Sequence, residues 1–89
     1  MIKVINVKQI DENIFDVFVS NFGKPQHYNV LRRFVFLQEI DKSMPFLNCE
    51  EQEFSNIYGY SSELRQDIWN LIKQAESVQV QQLSELQIA

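Results

Sequence analysis

The chain has 89 residues, of which 45% are hydrophobic and 12% aromatic, and this composition predicts one small folded domain and excludes global disorder. The formal net charge of −4 argues against a general nucleic-acid binder. A single cysteine excludes a disulfide framework, and since no run of about 18 apolar residues suggests a membrane span, we expect a cytoplasmic protein without a membrane partner.

The first two predicted elements are strands at residues 2–10 and 14–20, which are rich in Ile, Val and Phe. The polar cluster Asp11-Glu12-Asn13 between them favours a turn, so together they predict a β-hairpin. By the two-residue alternation, one face of the second strand carries Phe15, Val17 and Val19. Val4 and Ile5 are adjacent, which indicates either two partly covered faces or a bulge.

The next segment is ambiguous between strand and helix. Gly23 and Pro25 end the second strand of the hairpin. Aromatic and β-branched residues from 26 to 40 favour a strand, whereas the spacing of Val30, Phe34 and Leu37 favours a helix. We predict a short third strand near 26–30, followed by a helix over roughly 31–42.

A short helix is predicted over roughly 49–58. Asn48 and Glu51 have the spacing of a capping box at its start. Gly59 suits the left-handed geometry that often ends a helix.

The clearest predicted element is a C-terminal helix that begins at Ser61 as N-cap. Its apolar stripe repeats at steps of four and three residues and comprises Leu64, Ile68, Leu71, Ala75 and Val78. Trp69 and Ile72 widen the stripe. An arc this broad predicts contact with more than one neighbour.

These elements predict an α+β fold, with an N-terminal antiparallel β-hairpin or three-stranded sheet packed against two or three C-terminal helices. Residues 1–80 are expected to form a single domain. Residues 81–89 are expected to form a Gln-rich extension that is helical or frayed.

The sequence offers little catalytic chemistry. His27 and Cys49 are the only histidine and cysteine, and they form a nucleophile and base pair only if they meet in space. The alternative places His27 partly exposed in a turn and Cys49 as filler in the first turn of a helix. One His and one Cys make no structural metal site, and Gly23 and Gly59 are too far apart for a phosphate loop. We predict no catalytic, cofactor or metal residues, and therefore no enzyme.

The leading functional prediction is a non-enzymatic protein-interaction or regulatory module that self-associates as a homodimer or larger assembly. Tyr and Trp often anchor interfaces, and the C-terminal helix offers further apolar residues. The predicted interaction face comprises Tyr58, Tyr60, Trp69, Ile72, Leu83 and Leu86.

Two alternatives follow from the uneven charge. Residues 1–33 contain five Lys/Arg against three Asp/Glu, whereas residues 34–89 contain three against nine. An acidic inhibitor or antitoxin-like protein would meet a basic partner through Glu50, Glu51, Glu53, Glu63 and Asp67. Nucleic-acid binding, which is less expected, would use Lys24, Arg32 and Arg33 beside the aromatics of Phe34-Val35-Phe36.

Overall fold

The computed structural model describes the backbone of residues 1–88 and the side chains of residues 1–78. In chain order the elements are β1 (Ile2–Asp11), β2 (Ile14–Asn21), β3 (Lys24–Leu37), β4 (Lys42–Asn48), α1 (Gln52–Tyr58) and α2 (Ser62–Ile88). The strands form one antiparallel sheet in the order β1-β2-β3-β4. The α+β class is confirmed, but over residues 1–88 the sheet has four strands, rather than two or three, and the helices number two.

The N-terminal hairpin is confirmed. Val7 on β1 lies opposite Val17 on β2. The register shifts between Val4 and Asn6 and again between Gln9 and Asp11, which shows that a bulge follows Val4. The predicted inward face of β2 is fully buried at Phe15, Val17 and Val19.

A two-residue turn joins β2 to β3. Phe22 and Gly23 have φ angles of 52° and 86°, the positive values that a tight hairpin turn of this hand requires. Glycine adopts this geometry freely, whereas Phe22 is strained there. The exposed Phe22 ring meets Tyr60 edge-on, with 6.4 Å between the ring centroids.

The predicted helix over 31–42 is wrong. β3 continues through Leu37, and after a turn the chain returns as β4, which pairs with the second half of β3. The helical spacing of Val30, Phe34 and Leu37 is outweighed by strand pairing, with β2 up to Leu31 and with β4 from Leu31 to Leu37. Aromatic and β-branched side chains fit such a pleated surface better than a helix.

The short helix is confirmed, but its predicted start is wrong. Asn48 is the last residue of β4 and lies opposite Leu31, so it does not cap a helix. α1 begins at Gln52 with Glu51 at the N-cap and no side-chain cap hydrogen bond. Gly59 ends α1 with φ −82°, a right-handed rather than a left-handed conformation.

The C-terminal helix is confirmed with its cap. Ser61 Oγ accepts a hydrogen bond of 3.0 Å from the backbone N–H of Leu64. The buried side of α2 is formed by Leu64, Ile68 and Ile72. Val78 is exposed, and the helix continues to Ile88, so it includes most of the predicted extension.

One apolar layer lies between the sheet and the two helices. It consists of Val7, Phe15, Val17, Val19, Tyr28, Val30, Phe54, Ile57, Leu64, Ile68 and Ile72. On the opposite side of the sheet, which we call the open face, none of the described side chains is buried. The core is thus one-sided.

Tyr28 links β3 to α1 in this layer. Its ring packs against Phe54 with the centroids 5.7 Å apart. Its hydroxyl lies 2.8 Å from Gln26 Oε1 and 3.2 Å from Glu53 Oε2, and the single O–H proton is shared between these two acceptors. Burial, followed by the hydrogen bond and the charge of Glu53, raises the pKa of Tyr28 to about 12.

This pKa predicts a loss of stability in alkali. The pKa of Tyr28 is higher in the folded state than the value of 10.0 for an unperturbed tyrosine, so its contribution is complete below about pH 10 and is lost as the pH rises toward about 12. The free energy of unfolding, measured by urea denaturation across this range, should fall more steeply for the native chain than for Tyr28→Phe. Equal slopes would contradict the assignment.

Candidate interaction surface

The distinctive feature of the sheet is that β3 changes its pairing partner halfway along its length. Its first half, Lys24–Leu31, pairs with β2, and Leu31–Leu37 pairs with β4. Residues 32–48 therefore form a two-stranded ribbon that continues beyond the end of β2. We call these residues the ribbon.

The ribbon exposes six large apolar side chains with 39 to 58% of their surface accessible: Phe34, Val35, Phe36, Ile40, Met44 and Phe46. Full burial of a phenylalanine removes roughly 150–250 Å² of accessible surface, so the three half-exposed rings alone present on the order of 300 Å². This area is divided between the two faces of the ribbon. Single exposed apolar residues are common, but a cluster of them on one element usually marks an interaction site.

Both faces of the ribbon are apolar. By strand alternation, Phe34 and Phe36 lie on the same side as the helices, yet both remain more than half exposed. Val35, Met44 and Phe46 lie on the open face. The intramolecular core therefore leaves both faces of the ribbon accessible.

Arg32 fixes the base of the ribbon. Its guanidinium carbon lies 5.2 Å from the ring centroids of both Phe15 and Phe34. Its nitrogens donate to Asn13 Oδ1 at 3.2 Å, to the Glu12 carbonyl oxygen at 3.4 Å, and to Glu76 on α2. One side chain thus joins the β1–β2 turn, β3 and α2.

The four described residues of the predicted interaction face do not form one exposed surface. Trp69 Nε1 donates a 2.7 Å hydrogen bond to the hydroxyl of Tyr58, and both residues are half-buried against the core. Ile72 is only 1% exposed, because it packs under the sheet, so it is a core residue and not part of an exposed face. Tyr60 is exposed beside Phe22. The side chains of Leu83 and Leu86 lie outside the described residues.

His27 and Cys49 line one open cavity of about 800 Å³ on the sheet. His27 lies on β3 rather than in a turn, and Cys49 precedes α1 rather than lying within it. His27 Nδ1 lies 2.8 Å from Asp16 Oδ2, and its ring stacks on Phe18 with centroids 4.3 Å apart. Among the side chains that the structure describes, Cys49 forms no hydrogen bond, so the pair lacks the contact that a nucleophile and its base require.

The predicted basic residues are divided between faces. Arg32 and Lys24 lie on the helix side of β3, and Arg33 lies on the open face opposite Phe46. Because Arg32 is already engaged by Glu76 and Asn13, the three residues do not present one basic surface to a nucleic acid.

The predicted acidic residues also lie in separate places. Glu50 and Glu51 line the cavity that contains His27, and Glu53 is within hydrogen-bond distance of Tyr28. Glu63 and Asp67 line another cavity, beside the start of β1. Within residues 1–78, no group of three or more His, Cys, Asp or Glu side chains is placed to hold a metal ion.

The sequence reasoning missed the ribbon because residues 31–42 were interpreted as a helix. Two signals in the sequence would have found it. Phe34, Val35 and Phe36 form an uninterrupted run of strand-forming residues, and Pro45 is typical of an edge strand rather than of a helix interior.

Comparisons with protein-family models, curated proteins and solved structures find no match to this chain. Neither helix in residues 1–88 combines the length and apolar character needed to cross a membrane.

The position of Arg32 yields a prediction about stability. Arg32→Lys keeps the charge but loses the planar fork that reaches several acceptors, so we expect the free energy of unfolding to fall by about 1–3 kcal/mol. Arg33→Lys, at the neighbouring exposed position, should change it by less than about 0.5 kcal/mol. Urea denaturation of both variants tests this difference, and equal effects would show that Arg32 is not the anchor.

Proposed function

We propose that this chain is a non-enzymatic protein-interaction module that self-associates, and that the ribbon is its docking surface. The observation that supports the proposal is the exposure of six large apolar side chains on one protruding element, distributed over its two faces and its turn. Burying such a patch is favourable at about 25 cal/mol per Å² of apolar surface, which is the dominant driving force in most associations.

The ribbon surface is close to neutral, which favours a partner surface that is also close to neutral. Apart from Arg32, which is paired with Glu76, the ribbon contains Arg33 and Lys42 against Glu39 and Asp41, so these four formal charges cancel. A strongly basic or acidic partner gains little from a neutral surface, whereas two copies of it do not repel each other. A second copy of this chain is therefore the occupant that the surface fits.

The rigidity of the ribbon base also supports docking. Hydrogen bonds from Arg32 connect the ribbon to α2 and to the β1–β2 turn. The base of the two ribbon strands is therefore ordered in the free chain. Pre-ordered groups lose less conformational entropy on binding, and more of the buried area then contributes to affinity.

Association would also add to the stability of a small fold. The chain has one core layer on one side of its sheet. Domains of this size gain only a few kcal/mol from their core, and binding to a partner stabilises the folded state by mass action. We place this module in the reducing cytoplasm, where the single Cys49 stays a thiol.

A second candidate is an acidic inhibitor or antitoxin-like protein that meets a basic partner through the acidic residues Glu50, Glu51, Glu53, Glu63 and Asp67. Residues 50–89 contain seven Asp/Glu against two Lys/Arg, and this charge separation favours it. The two candidates differ in their dependence on salt. Screening at about 1 M salt weakens an exposed acid–base interface, whereas apolar self-association persists.

Self-association is tested by size-exclusion chromatography with light scattering at micromolar concentration. The native chain should have at least twice the 10.6 kDa mass of one chain. Val35→Lys should shift the protein toward monomer, because it places a charge in the centre of the ribbon. Ile10→Lys, at an apolar residue of similar exposure on β1, should leave the mass unchanged.

The circular dichroism spectra of both variants should match that of the native chain, which separates loss of assembly from loss of folding. A native chain that remains monomeric at high micromolar concentration would refute the proposal.

A further inference from the structure

The sheet has three free strand edges, and two of them carry features that block strand pairing. The outer edge of β1 is interrupted by two register shifts and carries Lys3 and Lys8. Bulges and edge lysines are devices by which natural sheets prevent another strand from adding. β1 is therefore a protected edge.

The outer edge of β4 is blocked by proline. The backbone N–H of Arg32 donates a 2.7 Å hydrogen bond to the carbonyl oxygen of Asn13, on the β2 side of β3. Backbone direction repeats at every second residue of a strand, so the N–H and C=O groups of Phe34 also point away from β4. Pro45 on β4 lies directly opposite Phe34, so its backbone points away from β3, toward the outer edge of β4. A proline at this position removes the donor that an added strand would need.

The third edge lies on β3 and has no such protection. Pairing with β2 ends where Ile14 meets Leu31, so Arg33–Leu37 is paired on the β4 side alone among the described residues. By the same alternation, the backbone N–H and C=O groups of both Phe34 and Phe36 point away from β4, toward the free edge of β3. This short segment contains no proline, bulge or lysine, and its one charged residue, Arg33, is at the end where pairing with β2 stops.

We infer that two copies of this chain join through this edge, with Arg33–Leu37 of each copy paired antiparallel across a two-fold axis at Val35. The inference rests on the proposed self-association and specifies its geometry. Phe34 would pair with the partner's Phe36, and Phe36 with the partner's Phe34. Each pair exchanges two backbone hydrogen bonds, which gives four in total.

The segment Phe34-Val35-Phe36 favours a second copy over an unrelated strand because it reads the same in both directions. An antiparallel two-fold therefore places phenylalanine beside phenylalanine and valine beside valine. Aromatic pairs directly opposite each other are among the favourable cross-strand contacts. The four rings would lie together on the helix side of the joined sheet, where each ring is now more than half exposed.

A cysteine at the symmetry axis tests this register. In a non-hydrogen-bonded antiparallel pair the two Cα atoms are about 4.5 Å apart, which is within the range that a disulfide spans. In a Cys49→Ser background, Val35→Cys should form a covalent dimer under mild oxidation on a non-reducing gel. Met44→Cys, opposite Val35 but on the far strand of the ribbon, should stay mostly monomeric on the same gel.

A covalent dimer from Val35→Cys alone supports the register. A native chain that is dimeric by light scattering, but whose Val35→Cys variant does not cross-link, overturns this inference and leaves the proposed self-association standing. A monomeric native chain removes both.

Proline substitution tests the hydrogen bonds separately from the side chains. Phe36→Pro removes an outward donor without removing a β3–β4 hydrogen bond, so dimer affinity should fall roughly tenfold or more. Phe36→Ala keeps the donor and should weaken the dimer less than Phe36→Pro. Ser43→Pro, opposite Phe36 and at an outward position on β4, should leave the affinity unchanged.

The dissociation constants come from light scattering over a dilution series. If Ser43→Pro loses the dimer while Phe36→Pro retains it, the interface lies at the β4 edge and the inference is refuted.

Discussion

The contacts of Arg32 hold the structure together at the point where β3 leaves β2 and begins to pair with β4. Its guanidinium lies between Phe15 of the core and Phe34 of the ribbon, and its nitrogens reach Asn13 and Glu76. An arginine suits this position because its guanidinium stacks on aromatic rings and donates hydrogen bonds in several directions at once. The folded body and the protruding ribbon are thus joined by this cation, in addition to the continuous strand β3 and the contact of Leu47 with the core.

The ribbon exists because β3 is longer than the strand beside it. β3 has 14 residues and β2 has eight, so its far half lacks a neighbour on the β2 side. Two strands alone bury little surface, and an isolated hairpin is marginally stable in water. The exposed phenylalanines and the unprotected edge both follow from this mismatch in length. An element with these properties gains stability when a partner supplies the missing strand and covers its apolar faces.

Some features of the fold were predictable from local sequence because they depend on neighbouring residues. The β1–β2 hairpin follows from its turn cluster and its alternation, and the start of α2 follows from Ser61 and the buried stripe of Leu64 and Ile68. The ribbon was not predictable in this way. Residues 31–37 carry both helical and strand spacing, and only pairing with β4 decides between them. The placement of Ile72 was not predictable either, because the width of the stripe of α2 predicted a second neighbour beside the sheet, whereas Ile72 is buried in the chain's own core.

The sequence by itself determined the composition class, the α+β content, the hairpin and the capped helix, since each depends on periodicity or on a short-range hydrogen bond. The tertiary structure alone decided which apolar residues are buried. Phe15 and Phe34 are chemically the same, yet the first is fully buried and the second more than half exposed. That difference arises because burial depends on what lies across the sheet, and residues distant in the chain supply that cover for Phe15 but not for Phe34.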